Sequence, residues 1–191
     1  MITNKIFVIE PMFSKNPLLK KELKKYFKNI LFNYKKITTP SLIRKIKEAE
    51  GIILGLQTFD KKVINAASKL KILAKFGVGM DNVDIQECKK KKIAIKRAIN
   101  CNSISVAELV VSNCINIQRN INTNYLHLKN KYWKKFEGEE IYKKKIGIIG
   151  LGACGKEVVK RLKAFDCEIL INDIKVDKNF CKKYALKSVS L

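Results

Sequence analysis

The sequence predicts an α/β protein in which short buried strands alternate with helices and pair in parallel. Three observations carry this. Short apolar runs rich in β-branched residues recur, as in "KIFVIE", "GIILG" and "KIGIIG". Between them lie segments whose apolar residues return at helical spacing. Strand and helix alternate nearly throughout, which calls for a parallel sheet with helices on both faces.

"KIFVIE" (Lys5–Glu10) is short and apolar and reads as a buried strand. Pro17 opens a helix, with Leu19, Leu23, Phe27 and Ile30 on one face. "ILFNY" (Ile30–Tyr34) is the second strand. "PSLIRKIKEAE" starts a helix near Ser41, with Leu42, Ile43 and Ile46 as its stripe. "GIILG" (Gly51–Gly55) is the third strand, and "DKKVINAA" a short helix with Asp60 as cap. "LKILAKF" runs into "GVGMDNVD", "IQECKKKK" is another short helix and "IAIKRA" another strand. Five strands by Arg97 complete a compact open sheet.

A second unit begins with a longer helix, Ser103 to Asn120. Val106, Leu109, Val110, Cys114 and Ile117 form its apolar face. Val111 and Ile121 widen that face, so burial on more than one side is expected. A polar segment follows from Asn122 to Lys145. The division is therefore residues 1–98 and 99–191.

The formal net charge is +23. Such a field can attract nucleic acid, membrane or anionic substrate. However, all but Arg44, Arg97, Arg119 and Arg161 of the 40 basic residues are lysine. Arginine is the residue favoured for base edges and bidentate phosphate contacts. The lysines spread over the whole chain, and Asn and Ile are abundant with them, as an AT-rich coding sequence would produce. Neither nucleic acid nor a membrane is the expected partner. The six cysteines form no C-x-x-C pair, and the single histidine, His127, has no cysteine nearby, so no metal site is expected. "MITNKIFVIEPMF" is no secretory signal, and no apolar run reaches the ~18–20 residues that span a bilayer. Reduced thiols without an export signal point to the cytoplasm.

In "KIGIIGLGACGKEVVKRLKAFDCEILIND" a β-branched strand leads into G-x-G-x-x-G at Gly150, Gly152 and Gly155. Gly150 permits the tight turn. Gly152 lets backbone approach a pyrophosphate, with Ala153 and Cys154 completing the loop. Gly155 lets helix and strand pack closely. Val158, Val159, Leu162 and Phe165 are spaced to pack that helix on a sheet, and its N-terminus offers N–H groups to phosphate. "CEILIN" is a second strand, and Asp173 at its end lies 18 residues after Gly155. A carboxylate there accepts from adenosine ribose hydroxyls and repels a 2′-phosphate, so NAD is favoured over NADP.

Two further stretches carry a resemblance. "KFGVGMDNVD" (Lys75–Asp84) and "NCNSISVAEL" (Asn100–Leu109), with Trp133, Phe136, Gly138 and Glu140 ahead of the glycine-rich strand, resemble the D-isomer-specific 2-hydroxyacid dehydrogenases. Within that family the stretches resemble the phosphoglycerate dehydrogenase-like members of serine biosynthesis. The resemblance implies a flavodoxin-like substrate domain followed by a Rossmann NAD-binding domain, with the site in the cleft between them. It implies that the N–H groups of Val78 and Gly79 hold the substrate carboxylate, that Val78 also meets the nicotinamide side of NAD, and that Asn102 lies near the substrate. Asn102 reads equally well as a helix N-cap, as does Ser103. Asp81 and Asp84 read as caps of the next turn. The partners implied are a small 2-hydroxy acid and a second copy, the long helix being buried in the family's dimers.

The sequence departs from the family pattern. Ala153 and Cys154 stand for the usual Arg-Ile, removing a cation from the pyrophosphate, and Lys156 is the nearest substitute. Ile99 and Cys101 replace a Pro and a Gly, and Lys143 replaces the Gly before the strand. The family's acid/base histidine, its bracing carboxylate and its substrate-orienting arginine fall after the second Rossmann strand, beyond Leu191. No catalytic residue is therefore assigned, and His127 reads as a surface residue. The Rossmann domain is expected to be incomplete, with one helix and two strands. The chain reads as the N-terminal part of an NAD-dependent dehydrogenase, a fragment without turnover of its own. The alternatives are a non-catalytic NAD-fold protein of corepressor type or an inactive pseudogene product.

Overall fold

The computed structural model describes residues 4–190. The chain divides into two compact units, Met1–Ile99 and Asn100–Leu191, each with its own parallel sheet.

The first unit runs β1 (Ile6–Val8), α1 (Pro11–Lys15), α2 (Pro17–Tyr26), β2 (Ile30–Phe32), α3 (Thr39–Ile46), β3 (Gly51–Leu54), α4 (Lys61–Ala66), β4 (Ile72–Lys75), α5 (Ile85–Lys90) and β5 (Ala94–Arg97). The strands lie in the order β2-β1-β3-β4-β5, all parallel. All three residues of β1 are buried, as a central parallel strand requires. Phe7 and Ile9 join Leu42, Ile52, Val63 and Leu73 in one core; Ile6 and Val8 join Phe13 in another, with Leu19, Leu23 and Phe27 against it.

Caps explain the helix starts. The Asp60 carboxylate accepts from the Val63 N–H at 2.9 Å, and Asp84 from the Glu87 N–H at 2.9 Å. The Asn16 side chain accepts from Leu18 and Leu19. One helix departs from the sequence reading. Pro11, which looks like a strand breaker, is the first residue of α1, and the Glu10 carboxylate caps it through the Met12 N–H. Ile30 leaves the stripe of α2 and begins β2 instead.

The second unit runs α6 (Ser103–Gln118), α7 (Ile121–Lys129), β6 (Lys145–Ile149), α8 (Ala153–Leu162), a short 3₁₀ turn at Lys163–Phe165, β7 (Glu168–Asn172), α9 (Lys178–Lys183) and β8 (Lys187–Ser188). Its sheet has the order β6-β7-β8, again parallel. The polar segment holds α7, entered through Asn120 in the left-handed region at φ 52° and without a buried residue. Two expectations need correction. The tail read as leaving two strands holds a third, β8, and α9, which Asp177 caps by accepting from the Phe180 N–H at 3.0 Å. The buried face of α6 is Ala107 with Val111, Cys114 and Ile115, packed in the core of Val158, Val159, Leu162, Ile169 and Ile171. Leu109 and Ile117, read as part of the packed stripe, are 62% and 74% exposed. Two stripes of this helix have helical spacing, and spacing alone does not say which one the sheet and α8 take.

Truncating Leu162, 1% exposed, to Ala is expected to cost about 2–5 kcal/mol in urea unfolding, and Leu109→Ala no more than about 0.5 kcal/mol. A larger loss for Leu109→Ala would place it in a core.

Candidate functional site

In the second unit β6 leads into a turn at Gly150, whose φ of 94° is open to glycine and strained for other residues. Gly152 is the N-cap of α8 and offers no side-chain bond. A Cβ added there would meet nothing within 4 Å, so the backbone is bare on that side. A Cβ on Gly155 would lie 2.2 Å from the Gly150 carbonyl oxygen. Only glycine allows the first turn of α8 to press so closely on the turn beneath it. Ala153 and Cys154, both half-buried, complete the first turn. The first helical bond donated from this end runs from Lys156 to the Gly152 carbonyl. Among the described residues, the N–H groups of Gly152, Ala153, Cys154 and Gly155 have no acceptor.

Asp173 follows β7 and reaches this turn. Its Oδ2 accepts from the Leu151 N–H at 2.5 Å and its Oδ1 from the Lys175 N–H at 2.8 Å. Those N–H bonds, Lys175 first and then Leu151, hold the Asp173 carboxyl below the usual carboxylate range. Each oxygen keeps a lone pair for a further donor, such as a ribose hydroxyl. Lys156 does not replace the missing pyrophosphate cation. Its ammonium pairs with Asp177 at 2.5 Å and lies over the Phe180 ring at 5.2 Å. A bare glycine turn, unspent helix N–H groups and a carboxylate at the second strand's end fit the ADP part of a dinucleotide.

In the first unit the loop after β4 carries Gly77 at φ 140°, then Val78 and Gly79. No described residue accepts from the Val78 or Gly79 N–H. The Arg97 guanidinium donates to the Val78 carbonyl at 3.0 Å and so holds the loop from β5. Beneath it sits a group that sequence reasoning missed. Lys75, the last residue of β4, is 6% exposed and donates to the Gly55 carbonyl. Glu10 is 8% exposed, its carboxylate lying where a Gly55 Cβ would be. Burial pushes the Lys75 ammonium down from the usual lysine range, and the Glu10 and Asp81 carboxylates oppose that shift. The signal was present: two charged residues ending strands that are otherwise apolar, at the carboxyl edge where open α/β sheets bind ligands.

Asn102 lies exposed at the start of α6 and makes no side-chain cap bond. Asn102 does occupy the N-cap position of α6, its carbonyl accepting from the Val106 N–H at 2.9 Å; the Ser103 hydroxyl turns back to the Asn100 carbonyl at 2.9 Å. His127 reads from the sequence as a surface residue. It is half-buried, its ring 4.8 Å from Phe136 and 5.3 Å from Tyr132 between centroids.

The profile of the D-isomer specific 2-hydroxyacid dehydrogenase catalytic domain matches residues 6–189. The chain belongs to that family. A D-3-phosphoglycerate dehydrogenase of Methanocaldococcus jannaschii is 37% identical over 156 residues, covering 80% of this chain and 30% of its own length. One from Archaeoglobus fulgidus is 38% identical over 151 residues, covering 78% and 29%. The chain thus spans about three tenths of the length of those relatives. The pyruvate reductase of Chlamydomonas reinhardtii shares the fold at a TM-score of 0.82 and 22% identity, over 99% of this chain and 57% of its own. At the position where the family has glycine before β6, Lys143 holds φ 58°.

Two outcomes follow from this geometry. Lys143→Gly is expected to stabilise the protein by about 1 kcal/mol in denaturant unfolding, because glycine adopts that φ without penalty; no gain would mean that the lysine is unstrained there. Asp173 has a folded pKa below its unfolded one, so its contribution is complete above the ordinary aspartate range and is lost as pH falls through the lowered value. The Leu151 and Lys175 amide proton resonances should titrate together, with a midpoint below that of an unstructured aspartate, about 3.9.

Proposed function

We propose that this chain takes part in NAD-linked oxidation of a D-2-hydroxy acid, the second unit holding the cofactor's ADP part and the first the acid's carboxylate. The observation that carries this is the row of unspent N–H groups at Gly152, Ala153, Cys154 and Gly155 beside the Asp173 carboxylate. Those N–H groups and the positive end of the ten-residue α8 take the pyrophosphate. Asp173 accepts from the ribose hydroxyls, and its charge disfavours a 2′-phosphate, which makes the cofactor NAD. Val78 and Gly79 donate to the carboxylate of the acid, Val78 also meets the nicotinamide side, and Asn102 joins the substrate's surroundings. When bound, NAD supplies the acceptor for the hydride leaving the hydroxyl-bearing carbon.

Loss of that hydride also requires a base for the hydroxyl proton, for which histidine is the usual choice. His127, the single histidine, is packed among aromatic rings, so no histidine of this chain is assigned to that task. The reading is therefore of a binding portion of a phosphoglycerate dehydrogenase-like enzyme, with the base, its carboxylate and the arginine supplied elsewhere. The name of the relatives makes 3-phosphoglycerate, and through it serine biosynthesis, the first reaction to test. A cytoplasmic location goes with six cysteines that form no C-x-x-C pair. Pairing of two copies along α6 goes with its exposed Leu109, Val110 and Ile117.

Calorimetric titration tests the cofactor. NAD should bind at least about tenfold tighter than NADP, and Asp173→Ser should narrow that ratio. Equal affinity for the two would remove the role given to Asp173. The purified chain should form no NADH from 3-phosphoglycerate and NAD; production above a no-protein control would sink the assignment of the base to other residues.

A further inference from the structure

The first sheet ends on β2, and among the described residues no strand lies beyond it. The Ile6 N–H donates to the Asn29 carbonyl at 2.9 Å and the Asn33 N–H to the Val8 carbonyl at 3.0 Å. In a ladder every second residue of a strand bonds to the same neighbour. Leu31 therefore faces β1 with Asn29 and Asn33, and Ile30 and Phe32 turn their N–H and C=O groups out of the sheet. Such an edge is a template for a further strand.

This edge has a cavity on each face. Ile30 and Phe32 pack with Leu23 and Phe27 of the α2 side. There Phe27, Ile30 and Phe32 line a cavity of about 430 Å³ together with Lys24 and Lys28. Leu31, 48% exposed, points to the other face. It lines a cavity of about 360 Å³ with Ala49, Lys45 and Glu48, just beyond α3. Ile30 borders both cavities. Side chains of a strand alternate between the two faces of its sheet. Consecutive residues of a peptide laid along β2 would therefore enter first one cavity and then the other.

The charge along this edge has one sign. Between Lys20 and Lys36 seven lysines stand against one acid, Glu22, which pairs with Lys25 at 2.6 Å. Glu48 is taken by Lys69 at 2.6 Å and Lys5 at 3.6 Å. Lys24, Lys28 and Lys45 are exposed and form no ion pair among the described residues. A second copy pairing β2 with β2 would set lysine against lysine, and like charges across a strand pair are destabilising. We infer that the β2 edge takes an acidic partner peptide in extended form, two or three β-branched residues flanked by Asp and Glu, as a sixth strand of the five-stranded sheet. Its backbone bonds to Ile30 and Phe32, its apolar side chains fill the two cavities, and its carboxylates meet Lys24, Lys28 and Lys45. In strand addition of this kind backbone bonds supply affinity and alternate side-chain pockets supply specificity.

The test is fluorescence anisotropy of a labelled peptide, Val-Ile-Val flanked on each side by two glutamates, titrated with the full chain at physiological salt. It is expected to bind saturably and to slow hydrogen exchange at the Ile30 and Phe32 amides of the ¹⁵N-labelled chain. A peptide with Val-Pro-Pro at its centre lacks a backbone N–H toward β2 in either phase, and is expected to bind at least about tenfold more weakly. The double variant Lys24→Glu with Lys28→Glu, both at exposed positions, is expected to lose at least about tenfold in affinity for the first peptide. No saturable binding, or undiminished binding by the double variant, would overturn the inference. So would equal binding of the two peptides, which is adsorption to lysine without a strand. Slow exchange at Ile30 and Phe32 without peptide, lost on dilution, would give the edge to a second copy and overturn the acidic partner.

Discussion

The second unit depends on one close approach. No side chain fits between Gly155 and the Gly150 carbonyl, where an added Cβ would be 2.2 Å from oxygen. Because α8 can lie that low on the turn after β6, its first N–H groups are presented together at the bare backbone of Gly152. The same contact brings the Leu151 N–H to the Asp173 carboxylate at the end of β7. Helix dipole, donors and carboxylate are therefore one construction, and a methyl group at Gly155 would take it apart.

The first unit obeys a related constraint at the carboxyl edge of its sheet. Strands buried on both faces must be apolar along their length, so charge is admitted at their ends. Glu10 ends the β1 run and Lys75 ends β4, and the two answer each other across Gly55. Glu10 also caps α1, so one carboxylate fixes a helix start, braces a buried lysine and sets the charge of the edge. The loop of Gly77, Val78 and Gly79 rests above this pair and is held from the other side by Arg97.

The large positive charge sits mostly on exposed lysines. Apart from the buried Lys75 facing Glu10, lysines meet carboxylates at the surface, as in Lys69 with Glu48 and Lys71 with Glu50. Exposed pairs of this kind contribute about 0–1 kcal/mol each. The cations that matter to the candidate site, Lys75 and Arg97, are those that bond to backbone carbonyls.

Much of this was legible in the sequence. Alternating β-branched runs and helical stripes determine an α/β chain, and the spacing of Gly150, Gly152, Gly155 and Asp173 determines a glycine turn with a carboxylate beside it, because backbone conformation there admits few other residues. Asp60 and Asp84 announce their helices because capping is a local bond. Other features were decided only by tertiary structure. The sequence of α6 offers two apolar stripes, and packing on α8 chose Ala107, Val111, Cys114 and Ile115. Lys156 was free to reach a phosphate until α9 brought Asp177 to it. Glu10 and Lys75 are 65 residues apart, and nothing in either neighbourhood states that the sheet order puts β3 between them. Local rules act over a turn or two of chain; which face is buried and which charges meet depend on strand order.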